Sequence, residues 1–126
     1  MSTSRASLWV GRALTSLSAF GLIASGVMKL SGGDEMMKNW TDFGFPASSL
    51  TPVGVVEVTI AIMTLIPQLS ALGLILVAAY LGGAVATHVH AGQPFMAPII
   101  LAVLAWGGLY LRDARVRALI PLRRPE

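Results

Sequence analysis

The sequence predicts an all-α membrane protein, a bundle of four transmembrane helices with both termini cytoplasmic. Three observations carry that prediction. Of the 126 residues, 55% are hydrophobic and only 12% are charged, whereas a water-soluble domain carries about a quarter charged. Four apolar runs approach the roughly 20 residues that an α-helix needs to cross about 30 Å of hydrocarbon. Lys and Arg gather toward the two chain ends, and such clusters orient spans toward the cytoplasm.

The same composition excludes other classes. A mean hydropathy of +0.73 leaves too little polar surface to clothe a small soluble fold, and it is the opposite of a disordered chain. With no cysteine, the chain has no disulfide scaffold, thiolate metal site, c-type haem attachment or CxxC relay. The formal charge of +3 comes from arginines beside an apolar run, without interleaved stacking aromatics. Lipid headgroups, not nucleic acid, are therefore the expected counterions.

The spans fall at about 8–30, 51–67, 69–88 and 94–112, in a single domain covering 1–126. Ser31-Gly32-Gly33-Asp34, Thr51-Pro52, Pro67-Gln68 and Ala91-Gly92-Gln93-Pro94 punctuate them, with Thr51 read as an N-cap and Pro52 as the first helical residue. A cleavable signal peptide is the rival reading of the first run, since Arg5 precedes an apolar stretch ending in Ala24-Ser25-Gly26. The length of that run and the spans behind it favour a membrane anchor. Arg5 and Arg12 flank its start, and Arg112, Arg115, Arg117, Arg123 and Arg124 follow the last run. The 31–50 loop carries Asp34, Glu35, Lys38 and Asp42, a net negative charge suited to the opposite side. Trp9 and Tyr110 then belong to a cytoplasmic aromatic belt and Trp40 to an outer one, while Trp106 lies deeper.

Glu57 is the most informative residue, a carboxyl inside the second span flanked by Val55, Val56 and Val58. Ionisable groups within spans face the bundle interior or a wet cavity and find partners. Lys29 closes the first span and His88 the third, both at the same membrane level as Glu57. The stripe Gly11, Thr15, Ser18, Leu22, Ser25, Lys29 steps by fours and threes along one face of the first helix. It suits close helix packing or a polar ladder leading to Lys29. Gly82-Gly83 and Gly107-Gly108 are read as helix crossings, and Arg12 with Asp113 as an ion pair at the cytoplasmic end. His88 and His90 would need Glu57 or a loop acid as a third metal ligand, and their spacing of two suits one helix face poorly. No metal site is assigned.

Ser25-Gly26-Val27-Met28-Lys29-Leu30, Gly82-Gly83-Ala84-Val85-Ala86-Thr87-His88, Trp106-Gly107-Gly108-Leu109 and Leu111-Arg112-Asp113 together resemble the DoxX-like family of small bacterial membrane proteins. The resemblance runs from about Gly11 to Arg124. It implies a four-helix bundle in the bacterial cytoplasmic (inner) membrane with a polar site near Lys29, Glu57 and His88. The broader DoxX and DoxD group includes a subunit associated with thiosulfate:quinone oxidoreductase, partners of oxidative-stress enzymes and assembly factors.

Three functions follow as expectations. The first is an accessory or small-ligand-binding protein with a pocket open toward the outer leaflet. There Lys29, Ser25 and His90 join Glu57 and His88 around the polar head of a lipophile such as a quinone, and Val53, Ile60, Leu81 and Val85 hold its body. The second is an enzyme with Glu57 and His88 as catalytic acid and base. Without thiols or a cofactor motif, a redox role would need a bound quinone and a membrane or soluble oxidoreductase partner. The third is a structural protein that assists assembly or scaffolds a larger complex, in which the charges set helix register; a homo-oligomer is among the expected partners.

Overall fold

The computed structural model describes residues 3–123, which are helical throughout apart from short connections and contain no strand. Helix α1 spans Arg5–Ser31, α2 Asp34–Asp42, α3 Leu50–Leu65, α4 Ser70–His90, α5 Met96–Arg112 and α6 Ala114–Leu119. A single 3-10 turn, Ala47–Ser49, leads into α3. Helices α1 and α4, and α3 together with its leading turn, are long and apolar enough to cross a membrane. Helix α5 is a shorter apolar helix of 17 residues.

The four apolar runs thus become α1, α3, α4 and α5, with shifted ends. Helix α1 starts before the first apolar residue because the Ser4 hydroxyl accepts from the Ser7 amide at 3.1 Å, capping a turn that hydropathy does not register. Thr51 is not the N-cap of α3. The helix begins at Leu50, and Thr51 and Pro52 occupy its first turn, where the missing proline N–H leaves no intrahelical bond unmade. The 31–50 segment, expected as a loop, contains the helix α2. Its first turn holds Asp34 and Glu35, which favour the positive end of the helix dipole.

Helix α1 packs against α3 and α5, and so does α4, leaving α1 and α4 facing each other across the diagonal. Leu22, Ile60, Leu74, Val77, Ala105 and Leu109 fill the space between them. The predicted α1 stripe is buried at Gly11, Thr15, Ser18 and Leu22, and the Ser18 hydroxyl donates to the Leu101 carbonyl of α5 at 2.7 Å. At the α1/α5 crossing, a Cβ added to Gly108 would come within 2.7 Å of the Gly11 carbonyl oxygen. At the α1/α3 crossing, one added to Gly54 would lie 3.1 Å from the Gly26 carbonyl oxygen. Gly82, Gly83 and Gly107 are not crossing points: a Cβ on any of them would meet nothing within 4 Å.

Leu17, Phe20, Val55, Leu72, Ile75, Ile100 and Val103 point outward and are exposed. Such a belt suits lipid contact, and the chain is a multi-pass membrane protein. The two ends of the described stretch meet on one face. The Arg117 guanidinium donates to the Tyr110 and Leu111 carbonyls, closing the end of α5, and to the Thr3 hydroxyl at 2.9 Å. The expected Arg12–Asp113 pair does not form. Asp113 caps α6 and pairs with Arg115 at 3.0 Å, a partner two residues away, while Arg12 lies over the Trp9 ring at 5.2 Å. Hydrogen bonding from Arg115 holds the Asp113 carboxyl below the usual carboxylate range. Arg124 lies outside the described residues.

Candidate functional site

Side chains on a helix lean toward its N-terminus. Lys29, near the end of α1, therefore reaches back into the bundle. Glu57 leans toward the start of α3, which runs antiparallel to α1. The Gly26–Gly54 contact brings the two backbones close, and each residue lies three positions beyond its glycine. The outcome is an ion pair, Lys29 Nζ to Glu57 Oε2 at 2.7 Å, with side chains 14% and 3% exposed. Lys29 Nζ also donates to the Ser25 hydroxyl at 2.8 Å, one turn back on α1. Two of the three ammonium N–H groups are thereby engaged, and one remains for another acceptor.

The pair borders a cavity of about 740 Å³ whose walls come from α1, α3, α4 and α5 and whose end is covered by α2 and the loop behind it. Val53, Leu81 and Leu101 contribute apolar wall, and the Tyr80 phenol lies beside the Glu57 carboxyl. His88 also lines the cavity, but it neither bonds nor bridges Glu57. Its Nδ1 is engaged with the Ala84 carbonyl oxygen of its own helix at 2.6 Å, and its ring tilts against Phe43 with centroids 5.1 Å apart. His90 is exposed at the end of α4 and is not part of the lining. Of the expected apolar contacts, Val53 and Leu81 line the cavity, Ile60 lies in the packed core and Val85 does neither. Among the described residues, no three His, Cys, Asp or Glu gather as a metal site.

The covering aromatics were not legible as such. Trp40, expected in an outer aromatic belt, is buried. It stacks on Phe45 with centroids 4.5 Å apart, and its Nε1 donates to the Ser49 hydroxyl at 2.9 Å and the Pro46 carbonyl at 3.2 Å. A buried indole needs such acceptors. The available signal was the run Trp40, Phe43, Phe45 at close spacing between two spans, too dense in aromatics for a solvated loop.

Neither the curated proteins nor the solved structures give a significant match to the chain. A family model does match residues 13–108, a stretch that contains the ion pair, the aromatic cover and most of all four long helices. The chain therefore belongs to the DoxX-like family.

Proposed function

We propose that this protein is a binding or accessory protein of the bacterial cytoplasmic membrane, with both termini cytoplasmic. On this reading it holds a small lipophilic molecule, a quinone among the candidates, in the cavity near the outer leaflet. The observation that carries the reading is the juxtaposition of a buried Lys29–Glu57 pair with a cavity of about 740 Å³ that is otherwise mainly apolar. That volume lies within the roughly 300–1,000 Å³ of small-molecule sites, which combine apolar walls with a few convergent polar groups. The uncommitted N–H of Lys29 supplies a donor for a carbonyl or hydroxyl head.

The test uses protein in lipid nanodiscs titrated with decylubiquinone. A ligand that binds only the folded state raises the unfolding free energy, by about 2.7 kcal/mol at a hundredfold excess over Kd. Glu57→Gln should keep the fold and lose most of that shift. A wild type with no shift, and no lipophile in its organic extract, rules the reading out. A second reading, catalysis with Glu57 and His88 as acid and base, is supported by the His88 ring on the cavity wall with only Nδ1 engaged. It requires His88→Ala to bind ligand and abolish its chemical conversion.

A further inference from the structure

The cavity is not equally open on all sides. Toward the chain segment linking α1 to α3, it is roofed by aromatic rings that are themselves pinned. Trp40 is only 9% exposed, stacked on Phe45 and tied by its indole N–H to the start of α3, and Phe43 rests on His88. The lining reaches the surface at Asn39 of α2 and Ala97 of α5, and most extensively beside α4. The lining runs around that helix from Leu81, 3% exposed, through the half-buried Ala84 and Tyr80, to Gly83 and Ala79, both exposed. Ala79 and Gly83 are one turn apart on the outer face, and a side chain begun at Gly83 would meet no atom within 4 Å. Helices α3 and α4 hold together at their hairpin, where Gly73 lies against Met63 and Thr64. Val56, seven residues before Met63 on the same face, is 51% exposed, so α3 is uncovered toward the cavity end.

We infer that the cavity is loaded sideways from the bilayer, past the Ala79–Gly83 edge of α4, and that its ligand is an uncharged, lipid-soluble molecule whose polar head stops at the Lys29–Glu57 pair. The inference rests on the binding reading above and narrows it. A charged head would have to cross hydrocarbon to enter. The pair sums to zero charge, so it offers donor and acceptor contacts without a net field to hold an ion. The lack of bulk at Ala79 and Gly83 leaves room for a ring to pass.

The test keeps Trp40 as the sole tryptophan through Trp9→Phe and Trp106→Phe, in phosphatidylcholine vesicles whose acyl chains are brominated near the headgroup. Bromine quenches indole at short range, so brominated chains should quench Trp40, and aqueous iodide should not. Gly83→Leu and, separately, Ala79→Leu should remove most of the brominated-lipid quenching while leaving the thermal midpoint unchanged, and should slow decylubiquinone association. Iodide quenching as strong as that by brominated lipid would mean an aqueous entrance and overturns the inference. So does quenching by brominated lipid that ignores both variants. Quenching needs no added ligand: if it behaves as stated but decylubiquinone fails to bind, the ligand assignment falls and the lateral opening stands.

Discussion

Replacing Lys29 with Met removes the amine but keeps most of the chain length, and it leaves the Glu57 carboxylate without its cation. At 2.7 Å and an effective dielectric constant of about 20, the attraction within the pair is about 6 kcal/mol, set against a desolvation cost of several kcal/mol for each ion. The net worth of the intact pair is therefore small, but the cost of halving it is not. Glu57 is 2% exposed, so its carboxylate would be left buried without a cation. Lys29→Met should cost about 3–5 kcal/mol. Glu57→Gln should cost less, because Lys29 keeps Ser25 and its flexible stem can carry the ammonium toward the interface. The double variant Lys29→Met, Glu57→Met should recover most of the loss, since apolar replacement of a buried pair is often neutral or better. Equilibrium unfolding in mixed micelles on titration with a denaturing detergent measures all three. A Lys29→Met loss below about 1 kcal/mol, simply adding to that of Glu57→Met, would refute the buried pair.

The glycines should divide by what faces them. Gly108→Ala should destabilise by about 1–3 kcal/mol because the new methyl meets the Gly11 backbone and Thr15, whereas Gly107→Ala should be neutral or stabilise by up to about 1 kcal/mol, as judged by thermal midpoints. Asp113→Ala removes the α6 cap and should cost about 0.5–2 kcal/mol, read as faster amide exchange in α6. Because the folded Asp113 carboxyl is lowered, its contribution is full above the ordinary aspartate value near 4. It is lost as pH falls through the lowered folded value, and Asp113→Asn should abolish that acid limb.

Much of this was visible in the chain itself. The four long helices follow from apolar runs that only a backbone satisfied internally can carry through lipid. That Glu57 needs a partner follows from the cost of an isolated carboxylate among valines, but Lys29 and His88 both stood as partners, and only the fold pairs it with Lys29. The rest depended on information that a linear pattern does not hold. Helix α2 has nine residues, most of them polar, so it reads as loop, and only folding shows Trp40 turned inward onto Phe45. Gly108 and Gly107 are adjacent and identical in sequence, yet one abuts a neighbouring backbone and the other faces open space. Smallness permits contact without requiring it. His88 and His90 are likewise two residues apart, and helical rotation turns only the first into the cavity.

The unequal helix lengths bear on the surrounding lipid. At about 1.5 Å per residue, the 27 residues of α1 extend about 40 Å, while the 17 of α5 reach only about 26 Å. One of the four walls is thus shorter than a typical hydrocarbon slab, and the longest must lean to fit it. Acyl chains beside the short wall are pinched, at a fraction of a kcal/mol per ångström of mismatch. That deformation favours thin membranes and gives the protein a thermodynamic preference among bilayers that involves no specific lipid headgroup.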